Sequence, residues 1–425
     1  MRNTLFTAPD VQRGIYVNGL AGIRPLIPTD PDALEAAARR RMSPEAYAYI
    51  AGGAGTGLTM TANRRGFDPH QLVPRMLRDV SVRDYSTSLL GMNLPLPLLL
   101  APIGVLEMVH PAGDLPVARA AASLGIPMIF SNQASVPMET CAAEMGDSPR
   151  WFQLYWSKSD ELVVSLVQRA ERAGCRAIVV TLDTTLLGWR TRDLDLGYLP
   201  FLQGRGIAQY VADPVFRRLM EQPEPALPGR NVTFQAIRAL IGLTRRFPGS
   251  FWGNLRSGAP LTAVRKFISL YSRPSLTWDD LAFLRAHTRL PVLLKGILHP
   301  DDARRALDAG MDGIIVSNHG GRQVDGALGA IEALPGVVAA VAGRVPVLMD
   351  SGIRTGADML KALALGASAV CLGRPYVYAL ALAGQAGVVA ALQHLAADFE
   401  LAMALTGCAG IREISPDLLH RRAGQ

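Results

Sequence analysis

Four short apolar runs in the segment 291–375 indicate the fold class, and they are PVLLKG (291–296), GIIVSNH (313–319), PVLMDSG (346–352) and AVCLGRP (369–375). Each run is continuously apolar rather than alternating, which indicates a strand that is buried on both faces. Helical patterns such as HPDDARRALDAG (299–310) lie between the runs and close with glycine. This alternation predicts parallel strands that are connected by helices.

Four more runs of the same kind precede this segment, and they are LPLLLAP (96–102), PMIFS (127–131), WFQLY (151–155) and AIVVTLD (177–183). The stretches between them also carry helical patterns, for example SDELVVSLVQRAERAG (159–174). Eight strand–helix units predict an α/β fold, a (β/α)8 barrel with right-handed crossovers.

We expect one domain over residues 1–425, in which a helical segment (1–94) precedes the barrel (95–375) and helices (376–425) follow it. A long loop at about 188–275 follows the fourth strand and exceeds the length of an ordinary connection. An active-site lid, an oligomer contact and a surface-docking element are the three interpretations of this loop.

Composition excludes several classes of protein. Hydrophobic residues make up 49% of the 425 residues and charged residues 19%, so the chain is not intrinsically disordered. The four cysteines are far apart, which excludes a disulfide framework and a cysteine-based zinc site, and we expect no metal. The N-terminus has no apolar signal region, so a cytoplasmic location is expected.

The net charge of +7 is concentrated in residues 204–273, which hold 11 Lys/Arg against three Asp/Glu. A basic segment is typical of proteins that bind nucleic acid or an anionic surface. Nucleic acid is disfavoured, since the rest of the chain is near neutral and no binding motif is present. Peripheral contact with a membrane through 204–273 remains open.

Polar residues stand at or just beyond the end of the predicted strands. In a (β/α)8 barrel this end carries the active site, because the loops that follow the strands converge there. The residues are Ser131, Gln153, Tyr155, Thr181, Asp183, Lys295, Ser317, His319, Asp350 and Arg374.

Several of these residues, and others that follow them closely in sequence, suggest acid–base or anion-binding chemistry. Lys295 is one of only four lysines, whereas the chain has 39 arginines. Because it lies in a predicted buried strand, it either forms a structural ion pair or faces an electron-accepting group. In SNHGGRQ (317–323), His319 can accept a proton and Arg322 can bind a carboxylate. The alternative is a core histidine with a surface arginine. Asp183 is placed to orient His319, and Arg190 offers a second anion contact.

DSGIRTG (350–356) and LGRP (372–375) follow the last two strands, where barrel enzymes commonly bind phosphate. Gly352 and Gly373 provide backbone donors, and Arg354 and Arg374 provide guanidinium groups. The two motifs together predict a phosphorylated cofactor or substrate.

With these motifs, and with FQLY (152–155) and TLDTTLLGWR (181–190), the chain resembles the FMN-dependent α-hydroxy-acid oxidase/dehydrogenase family over residues 30–416. Glycolate oxidase, lactate oxidase, lactate 2-monooxygenase and mandelate dehydrogenase are members. The resemblance implies bound FMN and oxidation of an L-2-hydroxy acid to the 2-oxo acid, with O2 or an unknown acceptor reoxidising the flavin. It also implies a homotetramer.

The resemblance further assigns roles. His319 is the expected base with Asp183 beside it, Tyr155 lies near the substrate hydroxyl, and Lys295 faces the N1/C2 carbonyl edge of the flavin. The expected carboxylate ligands are Tyr49, Arg190 and Arg322. The residues expected to contact FMN are Pro102, Ile103, Gly104, Ser131, Gln153, Thr181, Lys295, Ser317, Asp350, Gly352, Arg354, Gly373 and Arg374.

Two departures from the family pattern leave alternatives. Ser131-Asn132-Gln133 lacks the tryptophan that stands two places after the serine in glycolate oxidase-like members, so substrate size is open. The long loop is similar to that of lactate 2-monooxygenase, and its basic, apolar character is similar to the membrane contact of mandelate dehydrogenase. An FMN-dependent isomerase is disfavoured by the carboxylate ligands, and a flavin-binding scaffold is supported only by 204–273. The choice between carbanion and hydride chemistry remains open.

Overall fold

Eight parallel strands form a closed barrel in the computed structural model, which describes residues 7–222, 224 and 233–421. The ends of the predicted terminal segments and part of the basic segment lie outside these residues. The strands pair in chain order, and the last pairs with the first. They are β1 Leu98–Leu100, β2 Met128–Phe130, β3 Arg150–Leu154, β4 Ile178–Thr181, β5 Val292–Ile297, β6 Gly313–Val316, β7 Val347–Met349 and β8 Ala369–Leu372. The predicted (β/α)8 barrel is confirmed.

Helices surround the barrel, and several begin at a capping side chain, as where Ser159 and Thr355 accept hydrogen bonds from backbone N–H groups. The helices are α1 Ala8–Leu20, α2 Pro31–Arg41, α3 Pro44–Ala51, α4 Leu58–Arg65, α5 Leu115–Leu124, α6 Met138–Met145, α7 Asp160–Arg172, α8 Thr191–Asp195, α9 Ala208–Val211, α10 Pro214–Leu219, α11 Phe234–Arg246, α12 Phe251–Ser257, α13 Ala259–Leu270, α14 Asp280–His287, α15 Pro300–Asp308, α16 Ala330–Val341, α17 Gly356–Ala364 and α18 Arg374–Leu405. Short 3-10 helices lie at Leu106–Met108, Pro200–Gln203, His319–Gly321, Ile411–Glu413 and Pro416–Leu418.

Alternate strand residues face the barrel interior and the surrounding helices, because successive side chains of a strand point to opposite faces. The interior set is Leu99, Ile129, Trp151, Val179, Leu293, Ile315, Leu348 and Cys371. An antiparallel hairpin of Thr87–Leu89 and Met92–Leu94 adds Leu89 and Leu94 to this cluster. The apolar interior is therefore completed by the segment that precedes the barrel.

The two terminal segments meet through a second small sheet, in which His70–Leu72 pairs with Leu419–Arg421. Among the described helices, only α18 has the length and apolar composition to cross a membrane. It packs against α2, α5 and α17, and most of its apolar span is buried. The apolar stretch 375–397 is therefore part of a core helix.

The segment after β4 is long, as expected, and it folds into helices α8 to α13 where it is described. Side-chain caps begin several of these helices, for example Asp213 at α10 and Thr233 at α11. The aromatic residues Phe201, Phe216 and Phe267 from this segment are buried. These residues join the apolar core that the barrel strands share with the surrounding helices, and Phe201 reaches the mouth of the barrel.

Candidate active site

The polar strand ends face into the barrel mouth because each lies two residues beyond an interior apolar residue. Gln153 follows Trp151, and Thr181 follows Val179 in the same register. The same spacing relates the pairs Ile129 and Ser131, Leu293 and Lys295, Ile315 and Ser317, and Leu348 and Asp350. The barrel interior therefore changes from apolar to polar within two residues along each of these strands, and the polar layer forms the base of the site.

A cleft opens above this polar layer. Most of the predicted site residues line it, and these are Tyr49, Pro102, Ile103, Gly104, Tyr155, Arg190, Lys295, His319, Arg322, Asp350, Gly352, Arg354, Gly373 and Arg374. The remaining predicted residues lie behind its wall or floor, and these are Ser131, Gln153, Thr181, Asp183 and Ser317.

Lys295 lies at the centre of the floor and is buried. Its Nζ donates to Ser317 Oγ at 2.9 Å and lies 3.2 Å from Asp350 Oδ2. Burial would lower the pKa of this amine, but the carboxylates of Asp350 and Asp183 raise it above its ordinary value. Lys295 therefore keeps its charge, and it forms an ion pair while it also lines the cleft.

His319 and Asp183 form the second pair, with 2.7 Å between Nδ1 and Oδ1. Burial disfavours the Asp183 carboxylate, but His319 and Lys295 outweigh it and hold the pKa of Asp183 below its ordinary value. Burial lowers the pKa of His319, and Lys295 adds to this effect against the influence of Asp183. A neutral imidazole beside an ionised carboxylate donates from Nδ1, so Nε2 is left with a lone pair.

The loop backbone fixes this imidazole. His319 has a left-handed conformation with φ of 58°, which is unusual for a residue with a side chain. Its N–H donates to Ser317 Oγ at 3.0 Å, and the next N–H, of Gly320, donates to Ser351 Oγ at 2.9 Å. Hydroxyl groups from the ends of β6 and β7 therefore hold the strained turn in place.

Two arginines lie close together on one side of the cleft. Arg190 donates to the carbonyl oxygen of Arg322 at 3.3 Å and to Gln323 Oε1 at 2.9 Å. Arg322 donates to the carbonyl oxygens of Tyr49 and Gly52, and its guanidinium lies 4.8 Å from the centre of the Tyr49 ring. Burial and the charge of Arg190 lower the pKa of Arg322 to about 9. This cation pair is suited to an anionic ligand, which would relieve the repulsion.

Arg374, one of the two arginines predicted to bind phosphate, lines the cleft and also contacts the backbone around it. This guanidinium donates to the carbonyl oxygens of Ile50, Gly52 and Gly320, each at 2.9 Å, so its donors hold the framework together. Arg354 has one bond of this kind, from Nη1 to the carbonyl of Ile353. Burial and the neighbouring Arg374 lower the pKa of Arg354 to about 10. Arg354 is therefore the guanidinium that is better placed to bind a phosphate.

Gly352 lets the loop backbone lie close to α4 beside the predicted phosphate site. Its φ is 116°, and a Cβ atom at this position would lie 2.4 Å from the carbonyl oxygen of Asn63. No other residue type fits here without displacing α4. The turn therefore presents backbone rather than a side chain to the cleft.

Two buried polar atoms that lack hydrogen-bond partners indicate that the site can hold FMN. Gln153 Nε2 and Thr181 Oγ1 are buried and make no hydrogen bond within the described residues. Such atoms need a partner, because a buried unpaired polar group is costly. The flavin ring carries carbonyl oxygens and an N–H on one edge, which match an amide donor and a hydroxyl group.

Sequence reasoning missed the contribution of the segment after β4. Phe201, Tyr271, Leu186 and Leu187 line the cleft beside the predicted residues. The aromatic content of this segment was the available signal, but its contacts with the barrel mouth depend on tertiary structure. Gln133, at the position of the missing tryptophan, also lines the cleft.

The family model for FMN-dependent dehydrogenase matches residues 38–421. The chain belongs to this family. Its predicted cofactor, FMN, is therefore confirmed, and so is its class as an oxidoreductase acting on CH–OH groups. Within the residues described, no cluster of potential metal ligands is present.

Individual relatives of this FMN-dependent dehydrogenase cover nearly its whole length. It is 41% identical over 411 residues to the FMN-dependent alpha-hydroxy acid dehydrogenase qulF of Penicillium citrinum, covering 96% of this chain and 95% of that one. It is 42% identical to 4-hydroxymandelate oxidase of Amycolatopsis orientalis, over 89% of this chain and 94% of that one. The crystal structure of mandelate oxidase with (S)-4-hydroxymandelic acid matches with a TM-score of 0.77 at 39% identity, covering 93% of this chain and 99% of that one.

The unsatisfied hydroxyl of Thr181 provides a test of the flavin site. Thr181→Val keeps the shape of the side chain and removes one hydrogen bond, which contributes about 0.5–1.5 kcal/mol. We expect FMN to bind about 2- to 10-fold more weakly, measured by titrating apoprotein with FMN and following flavin fluorescence. Thr262→Val in α13, whose hydroxyl donates to the carbonyl oxygen of the N-cap residue Gly258, is the control. Unchanged FMN affinity in Thr181→Val would contradict the placement.

Proposed function

We propose that this enzyme oxidises an L-2-hydroxy acid to the 2-oxo acid, with O2 as the acceptor that reoxidises the flavin. His319, held by Asp183 at 2.7 Å, lies in the same cleft as the neighbouring Arg190 and Arg322, and this arrangement supports the proposal. A base and a cation pair together match a substrate that loses a proton while its carboxylate is held.

Arg190 and Arg322 bind the substrate carboxylate in this proposal, with Tyr49 beside them. Once the carboxylate is held, His319 Nε2 accepts a proton from the substrate, either from the α-carbon or from the hydroxyl. The ionised Asp183 then stabilises the imidazolium that forms. This stabilisation explains why a buried histidine can act as the base.

Tyr155 is suited to hold the substrate hydroxyl. Burial and the nearby Asp183 raise the pKa of its phenol to about 12, so the hydroxyl group stays protonated and available as a donor. Bound FMN supplies the acceptor for the two electrons that leave the substrate. Lys295, Gln153 and Thr181 would hold its ring, and Arg354 with the Gly352 backbone would hold its phosphate.

Replacement of the base provides the direct test. In His319→Gln we expect FMN to stay bound, while the anaerobic rate of flavin bleaching by substrate falls at least 10²–10⁴-fold, the contribution of a positioned base. Asp183→Asn should fall within the same range, since the imidazolium loses its stabilising charge. The exposed His287→Gln is the control. An active His319→Gln enzyme would refute the assignment of the base.

Product analysis separates the oxidase from its alternative. An oxidase yields the 2-oxo acid with hydrogen peroxide, whereas the lactate 2-monooxygenase type yields the shortened acid with CO2 and water. The homotetramer and the cytoplasmic location expected from the sequence stay predictions.

We also propose that α11 and α12 bring the enzyme to an anionic membrane surface. Phe234 and Trp252 are 81% and 75% exposed, and Ile237 is half exposed. Arg238 and Arg256 are exposed near them, and neither forms an ion pair with a described carboxylate. Exposed aromatic residues with arginines are typical of helices that lie on an anionic lipid surface.

Vesicle sedimentation tests this docking. We expect the protein to sediment with vesicles that contain phosphatidylglycerol at low salt and to be released at high salt. Phe234→Ser with Trp252→Ser should abolish sedimentation and leave flavin reduction unchanged, whereas the exposed Tyr16→Ser should change neither. Failure to sediment at low salt would refute the proposal. Loss of an oligomer in the double variant without lipid would show instead that these helices join copies of the chain.

A further inference from the structure

Two aromatic side chains from the segment after β4 form a wall of the cleft. Phe201 is 5% exposed and contacts the Tyr49 ring edge-on, with 6.4 Å between ring centres. Tyr271 stacks on Phe267 at 5.2 Å, and Phe267 lies 5.3 Å from Phe201. Because Tyr49 belongs to the carboxylate side, this wall lies beside the place where a substrate side chain would extend.

The wall is fixed rather than mobile. Tyr210 is fully buried behind it and contacts Phe267 edge-on at 4.8 Å. The hydroxyl of Tyr210 accepts a hydrogen bond of 2.7 Å from Asn132 Nδ2, which ties the inserted helices to the loop after β2. An anchored wall is present before substrate arrives, and it can therefore discriminate between substrates by shape.

Gln133 belongs to the same loop, and its backbone is held on both sides. Its N–H donates to Ser131 Oγ at 3.1 Å, and its carbonyl accepts from the N–H of Val105 at 2.9 Å. Gln133 and Tyr271 both line the cleft. Among the described residues, neither the Gln133 amide nor the Tyr271 hydroxyl has a hydrogen-bond partner.

We propose that the substrate is a 2-hydroxy acid whose side chain is an aromatic ring with a hydrogen-bonding substituent. The ring packs against Phe201 and Tyr271, and the substituent bonds to the Gln133 amide and the Tyr271 hydroxyl. This inference rests on the proposed function and names its substrate class. A one- or two-carbon side chain would leave the wall without contact, and an unsubstituted ring would leave two polar groups desolvated and unpaired.

A substrate panel tests the proposal on the holoenzyme. Anaerobic flavin bleaching is followed with glycolate, L-lactate, (S)-mandelate and (S)-4-hydroxymandelate. We expect kcat/KM to be at least tenfold higher for (S)-mandelate than for L-lactate, and higher again by about tenfold for the 4-hydroxy compound. A preference for glycolate or L-lactate would overturn the inference and leave the proposed function intact. No bleaching by any of the acids would instead refute the proposed function.

Variants of the wall residues and of Gln133 distinguish a role in substrate recognition from a role in folding. Tyr271→Phe and Gln133→Met should each reduce the ratio of kcat/KM for 4-hydroxymandelate over mandelate about tenfold, with L-lactate unchanged. Phe201→Leu should lower kcat/KM for both aromatic acids and leave L-lactate unchanged. Tyr198→Phe, in the same segment but outside the cleft, is the control. Equal loss on all substrates would show a structural role and overturn the assignment, and flavin content verifies that each variant is folded.

Discussion

The buried charges in the barrel mouth are the constraint on which the rest of the site depends. Lys295 keeps its charge only because Asp350 and Asp183 lie near it. The same ammonium helps to keep Asp183 ionised and His319 neutral. Three protonation states are therefore set by one arrangement, and removal of any member would disturb the others.

The charges of the cleft as a whole are unbalanced. Among the described residues that line it, Arg190, Lys295, Arg322, Arg354 and Arg374 are cationic, and Asp350 is the one carboxylate. A surplus of positive charge inside a low-dielectric cleft costs free energy until anions enter it. Under the proposed function, the FMN phosphate and the substrate carboxylate would supply that charge. Cofactor and substrate therefore complete the electrostatics of the fold.

The barrel and much of its mouth could be predicted from the sequence, because both depend on patterns within short stretches of the chain. Continuous apolar runs located all eight strands, and the polar residues that end them located the mouth, since a strand alternates its faces every residue. His319 and Asp183 were predicted to meet because both follow strand ends at the barrel mouth. In the structure, His319 Nδ1 lies 2.7 Å from Asp183 Oδ1.

Other features depend on contacts between distant parts of the chain and carry no local signal. The hydrogen bonds from Arg374 to carbonyl groups of α3, its flanking loop and the loop after β6 are contacts of this kind. The aromatic wall of Phe201 and Tyr271 arises because the inserted helices fold back over the mouth. Its position could not be read from composition alone.

The chemistry of the site depends on a neutral His319 that Asp183 holds through Nδ1. Nitrogen NMR of the ¹⁵N-histidine holoenzyme tests it most directly, with His319→Gln used to assign the signal among the seven histidines. We expect a neutral imidazole at pH 7 with its proton on Nδ1, and protonation only below the ordinary pKa of histidine. A doubly protonated ring at pH 7, or a proton on Nε2, would contradict it.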